Sequence, residues 1–268
     1  MSSSNVMSTS PDNMPKNSTK MWRLGDHRIL LGDATKKEDL DLLIGKDKVA
    51  LLLTDPPYGV GYVEGKQEFK EALQKENKTK EFVAIKGDGV EEDYYAFSKK
   101  WLTAVLPYLK SKNAFYIFNS DSKLRELLNA LYDTKYTKSA ILIWVKNHLV
   151  LGRKDYQPQH ELILYGWYGR HTFFGNKDKT TLFYPKPNKS KLHPTMKPPA
   201  LLRRLIYHST KPGDIILDPF AGSGSTLIAC EQLRRKCLLL EYEEEYCHTV
   251  VERWEKLTKR KAELVIHA

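Results

Sequence analysis

The chain has 268 residues, with 43 Lys and Arg against 33 Asp and Glu and a formal net charge of +10. That length supports one large domain with a buried core, and the basic balance favours a polyanionic partner. Cys230, Cys237 and Cys247 lack metal-ligand spacing and are odd in number, which argues against a zinc site or a disulfide scaffold; no metal is expected. No apolar run reaches the length of a membrane span and the N-terminus lacks an apolar signal core, so the expectation is a soluble cytoplasmic protein.

Residues 1–20 are rich in Ser, Asn, Thr, Pro and Met and are expected to be a disordered tail ahead of one domain over 21–268. His27 to Leu31 reads as a strand that ends in Gly32-Asp33-Ala34. Lys37 to Ile44 reads as a short helix. Lys48 to Thr54 is a buried strand that stops at Asp55-Pro56-Pro57-Tyr58, because the prolines lack the N–H a ladder needs. Residues 59–93 are polar and too long for an ordinary connection, which predicts a mobile or binding loop. Tyr94, Phe97, Trp101, Val105 and Leu109 recur at helical spacing over Asp93 to Leu109.

Asn113 to Asn119 is the next strand. Ser122 to Tyr132 follows as a helix with Ser120 or Asp121 at its cap. Ser139 to Lys146 and His160 to Tyr168 are two more strands. Residues 170–200 are basic and rich in Pro and Asn, and Pro199 to His208 is a helix. Asp214 to Phe220 is a strand, Ser223 to Arg235 a helix with a glycine-rich entry, Lys236 to Glu241 a strand, and Glu244 to Lys261 a long helix. Strands alternating with helices imply a mainly parallel sheet covered on both faces.

Two stretches carry chemistry. In open α/β sheets, ligands bind beyond the carboxyl ends of the strands, which is where Asp55 to Tyr58 falls. The amino group of a nucleobase is a poor nucleophile, because its lone pair is delocalised into the ring. The Asp55 carboxylate and the Pro56 carbonyl can accept its two N–H bonds, with Pro57 stiffening the turn. Tyr58 offers a flat face for an extruded base. The bland alternative is a proline-rich surface turn.

The second stretch is Asp218-Pro219-Phe220-Ala221-Gly222-Ser223-Gly224. It lacks the Lys of a P-loop, and Leu227 stands where a dinucleotide fingerprint needs a small residue. What remains is a nucleoside ligand without a pyrophosphate. Glu241, followed by Tyr242, sits at the offset of a ribose-binding carboxylate. S-adenosylmethionine fits, since its ribose diol suits Glu241 and its sulfonium tolerates Asp218 and Asp33. His193-Pro194-Thr195-Met196-Lys197-Pro198 is a stiff loop in which Lys197 can meet a carboxylate, such as the methionine end of the cofactor.

These three stretches, in this order, resemble the beta group of DNA amino-methyltransferases, over about Trp22 to Trp254. The resemblance implies a Rossmann-like seven-stranded sheet with circularly permuted motif order, S-adenosylmethionine as cofactor, base flipping, and often a homodimer. It implies Asp55, Pro56, Pro57 and Tyr58 as the catalytic turn. It implies Asp33, Ala34, Asp55, His193, Thr195, Lys197, Asp218, Phe220, Ala221, Gly222, Ser223, Gly224, Glu241 and Tyr242 around the cofactor. Met196 departs from the family's frequent Gln. Asp at position 55 resembles the adenine-N6 enzymes, whereas cytosine-N4 enzymes usually carry Ser.

The expected function is therefore methylation of adenine N6 in DNA. Cytosine-N4 or RNA amine methylation, and a non-catalytic nucleic-acid-binding subunit, stay open as alternatives. So does the presence of a restriction endonuclease partner. Ten Lys and Arg stand against one acid, Asp178, in residues 170–212. The part over about 170–192 is expected to be a small target-recognition segment gripping DNA phosphates through Arg170, Lys177, Lys179, Lys186, Lys189 and Lys191. His171, Phe173, Phe174 and Tyr184 are interleaved there.

Overall fold

The computed structural model describes residues 19–58, 94–149, 155–185 and 196–267. Among these residues there are eleven strands: β1 Thr19–Leu24, β2 His27–Leu31, β3 Val49–Thr54, β4 Leu109–Asn119, β5 Tyr136–Val145, β6 His160–Tyr168, β7 Arg170–His171, β8 Thr181–Phe183, β9 Ile215–Asp218, β10 Lys236–Glu241 and β11 Glu263–His267. Among the described residues, six α-helices accompany them: α1 Lys37–Ile44, α2 Tyr94–Val105, α3 Leu124–Asp133, α4 Pro199–Ser209, α5 Ser225–Gln232 and α6 Glu244–Thr258.

The sheet order is β11-β1-β2-β10-β9-β3-β4-β6-β5-β8, with β7 paired to β4 off this path. β2, β10, β9, β3 and β4 are consecutive parallel neighbours, and β6 runs against β4 and β5. These strands with β5 are the seven expected from the sequence, in a Rossmann-like arrangement. β1 and β11 extend one edge and β8 the other.

Successive strand residues face opposite sides. Cys237 and Leu239 of β10 enter one core with α4, α5 and α6. Leu238 and Leu240 enter the other with α1, α2 and α3. All six residues of β3 are buried, as a strand covered on both faces requires.

The structure moves several boundaries. Thr19 and Lys20 belong to β1 rather than to a tail, and residues 1–18 lie outside the described residues. The helix expected to reach Leu109 stops at Val105, where a short 3-10 turn carrying Pro107 hands the chain directly to β4. The last helix ends at Thr258 with Lys259 left-handed at φ 60°. This frees Glu263–His267 to pair antiparallel with β1. Among the described residues, no helix is long and apolar enough to cross a membrane.

Candidate active site

β3 lies between β9 and β4, so the chain leaves its neighbourhood in two directions and a crevice opens at the carboxyl ends. Asp33 after β2, Glu241 of β10, Asp218 of β9 and Asp55 after β3 follow one another along that rim. All four line one cavity of about 810 Å³. Ala34, Pro56, Pro57, Tyr58, Lys197, Phe220, Ala221, Gly222, Ser223 and Tyr242 line it too. The structure thus brings the Asp-Pro-Pro-Tyr turn and the glycine loop into one space.

The turn is held by charge. Tyr58 donates its hydroxyl to Asp55 Oδ1, and Lys197 donates to Asp55 Oδ2. Lys197 Nζ also lies 3.0 Å from Glu161 Oε2, while Lys146 Nζ lies 2.6 Å from Glu161 Oε1. The Lys197 ammonium sits 4.9 Å from the centre of the Phe118 ring, a cation–π contact. Two carboxylates and two ammoniums therefore alternate across the ends of β3, β6 and β5.

Burial pushes the Asp55 carboxyl upward; Lys197 opposes that, and the nearby Glu161 adds to it. Burial would also raise Glu161, yet Lys197 and Lys146 hold it down at about 2. Burial would lower Lys197, but Asp55 and Glu161 hold it above the usual lysine value. Burial, and then the charge of Asp55, push the Tyr58 phenol well above its ordinary value, so it stays a donor. The carboxylates that Lys197 meets in this structure are the chain's own, Asp55 and Glu161.

The glycine loop is a network of backbone donors. Glu241 Oε2 accepts from Gly222 N at 2.7 Å, and Oε1 from Tyr242 N at 2.9 Å and Glu243 N at 3.0 Å. Burial raises the Glu241 carboxyl, and these N–H groups pull it back. Gly222 and Gly224 have φ 49° and 75°, a region that glycine enters without cost. A Cβ on Gly224 would stand 2.8 Å from Val250 of α6, so this glycine serves helix packing. Phe220 packs against Phe97 and Trp101 at 5.7 and 5.4 Å between ring centres.

Asp218 is 3% exposed and inward-bonded. It accepts from Thr54 Oγ1 at 2.8 Å, Thr226 Oγ1 at 2.6 Å and Phe220 N at 3.2 Å. Burial pushes it up to about 7 despite these donors. Asp33 Oδ1 takes the Thr35 N–H and hydroxyl, both at 2.8 Å, forming a turn at the cavity edge. His193 and Thr195 lie outside the described residues.

The basic segment is split by the fold. Arg170 pairs with Lys112 at the start of β4. Asn119, at the cavity end of that strand, is seven residues on, roughly 23 Å away at strand rise. Lys177 and Lys179 flank Asp178, which is gripped by Arg204 at 2.6 and 2.9 Å. The chain then climbs along β8, where Phe183 aligns with Val145. Tyr184 N then donates to Val145 O at 3.1 Å, one residue before Lys146 of the cavity lining. Arg170 is therefore not brought to the site. Lys186, Lys189 and Lys191, like the expected loop over 59–93, lie outside the described residues. Phe173 is half-buried against Tyr165 and His208, at 6.1 and 5.2 Å, and Phe174 is exposed.

Glu161 and Lys146 were not anticipated. Each abuts an apolar strand run, Leu162–Leu164 or Ile141–Val145, as Asp55 abuts β3; that pattern was the available signal. Among the described residues no group of three His, Cys, Asp or Glu could hold a metal.

Comparison with known proteins agrees with this arrangement. The N6/N4 family model described as DNA methylase matches residues 49–252. The Type II methyltransferase M.HpaI of Haemophilus parainfluenzae is 26% identical over 254 residues, covering 85% of this chain and 74% of that protein. The crystal structure of the M1.HpyAVI–SAM complex superimposes with a TM-score of 0.62 at 25% identity, covering 84% of this chain and 97% of that one. The PvuII DNA methyltransferase, described as cytosine-N4-specific, shares the fold at TM-score 0.62 and 16% identity, over 86% and 89% of the two chains. With three-quarters of its length under the family model, the chain belongs to the N6/N4 DNA methylase family.

Proposed function

We propose that this protein is an S-adenosylmethionine-dependent DNA methyltransferase acting on the exocyclic N6 of an extruded adenine. One observation carries the reading: the Asp55 carboxylate and the Glu241-braced glycine loop open into the same cavity. Its size suits a nucleoside-sized cofactor together with a base.

The donor set fits the cofactor. A carboxylate has about four acceptor positions, and the backbone occupies three at Glu241. One remains for a ribose hydroxyl. Gly222 lets a ligand approach the backbone closely, and Phe220 supplies an apolar wall. Asp33 faces the same space from β2. S-adenosylmethionine, when bound, supplies a methyl group already activated on sulfonium.

The chain's own residues do the rest. Asp55 accepts one N–H of the target amine and the Pro56 carbonyl the other, concentrating electron density on nitrogen. Asp55 is also the base placed to receive the proton the amine gives up. Tyr58 and Lys197 fix the carboxylate, and most of the acceleration comes from such positioning. Asp rather than Ser at position 55 favours adenine over cytosine. The name of M.HpaI, a Type II methyltransferase, supports a restriction-modification context with an endonuclease partner. The family resemblance supports a homodimer.

The test is Asp55→Ala. Methyl transfer to DNA is expected to disappear while S-adenosylmethionine still binds in calorimetry. Loss of both would place Asp55 in the cofactor site or in the fold.

A further inference from the structure

Lys197 is 7% exposed and lines the cavity together with Asp55, the group proposed to hold the target amine. An ammonium has three N–H donors. One goes to Asp55 and one faces Glu161 at 3.0 Å. Asp55 and Glu161 are its hydrogen-bond and ion-pair partners among the described residues, which leaves the third. Lys146 fixes Glu161 from its other side at 2.6 Å, so Nζ is held in place by two anions and the Phe118 ring.

The rim thus presents an acceptor, Asp55 Oδ2, in direct contact with a donor, Lys197 Nζ. That is the order thymine presents to adenine: carbonyl acceptor, then ring N–H donor. We infer that Asp55 and Lys197 together read the amidine edge of the target base, Asp55 taking an amine N–H while Lys197 donates to the adjacent ring nitrogen. The inference deepens the amino-methyltransferase reading and rests on it.

The chemistry discriminates. Adenine offers N6–H beside acceptor N1, and cytosine offers N4–H beside acceptor N3; both fit. Guanine and thymine carry an oxygen acceptor beside a ring N–H. They would set oxygen against the Asp55 carboxylate and N–H against the Lys197 ammonium, leaving buried groups opposed. Lys197 is then a specificity residue for the edge, with base size left to choose between adenine and cytosine. Glu161 and Lys146 are positioning residues that act through it.

The test uses the ring nitrogen itself. The recognition sequence is first found by sequencing DNA methylated by the enzyme. Duplexes are then made with the target adenine replaced by 1-deazaadenine, which keeps the amine but lacks the N1 acceptor. If the product nucleoside is cytidine-derived, 3-deazacytosine takes its place, so an error about the base leaves this inference testable. Wild type should lose roughly 10- to 100-fold in kcat/KM on the deaza base, the usual weight of a hydrogen bond to a charged group.

In Lys197→Met the ratio between natural and deaza base should fall close to one. Lys197→Arg, which keeps a donor, should restore part of it. Any change in amine reactivity caused by the deaza ring is common to all three enzymes and cancels in the ratios. Equal rates of wild type on both bases would overturn the inference. So would Lys197→Met retaining the full ratio, because the ring nitrogen would then be read by another group.

Discussion

Thr54 Oγ1 donates to Asp218 Oδ1 at 2.8 Å, joining the end of β3 to the end of β9. The Asp-Pro-Pro-Tyr turn begins one residue after Thr54 and the glycine loop starts at Asp218. This buried hydrogen bond therefore couples the Asp-Pro-Pro-Tyr turn to the glycine loop, the two elements proposed to hold the amine and the cofactor. It explains why Asp218, an acid in the glycine motif, turns inward. The acid's other oxygen takes Thr226 of α5 at 2.6 Å, so the helix entering behind the loop is tied to the same point.

Glu241→Ala should weaken S-adenosylmethionine binding by about 1.5–3 kcal/mol, the range for a hydrogen bond to a charged group. The same change strips the acceptor from Gly222 N, Tyr242 N and Glu243 N, so the loop should also loosen. Calorimetry with the cofactor measures the first effect. Unchanged affinity would remove Glu241 from the pocket.

His27 sets a pH limit on stability. Cys237 N donates to its Nδ1 at 2.9 Å, so Nε2 carries the proton and donates to Glu231 Oε2 at 2.8 Å. Burial lowers its pKa from 6.5, although Glu231 opposes this, and a second proton would oppose the Cys237 N–H. A depressed folded-state pKa means that stability is fully present above 6.5 and is lost as pH falls through the folded value. Urea midpoints of wild type and His27→Gln, compared from pH 8 to pH 5, should show the wild-type advantage shrinking below 6.5. A constant difference would contradict the assigned proton position.

The phosphate grip is expected in the Lys-rich run that follows Pro185. Replacing Lys186, Lys189 and Lys191 by Gln should flatten log K against log salt by up to about three units of 0.9. Binding should weaken similarly on all sequences, because phosphate contacts carry no base information. An unchanged slope would move the grip to residues 59–93.

Much of this was legible in the chain. β3 and β9 announced themselves because apolar runs ended abruptly in acid and proline, and the other five core strands were legible as apolar and aromatic runs bounded by polar or glycine residues. β1 and β11 were not legible, because their partners are far apart in sequence and short alternating edge strands carry a weak periodic signal. The Glu161–Lys197 contact escaped for a related reason. Each residue alone reads as an ordinary charge, and only the antiparallel run of β6 delivers Glu161 to the carboxyl ends of β3 and β4. For Gly224, expected in the cofactor loop, the sequence did not show the packing of Val250 against it, which also requires a glycine there.

The most direct measurement is the identity of the methylated nucleoside. DNA is incubated with the enzyme and labelled S-adenosylmethionine, digested to nucleosides and separated. The account predicts label in N6-methyldeoxyadenosine, abolished in Asp55→Ala. Label in N4-methyldeoxycytidine, or none in DNA at all, would contradict it.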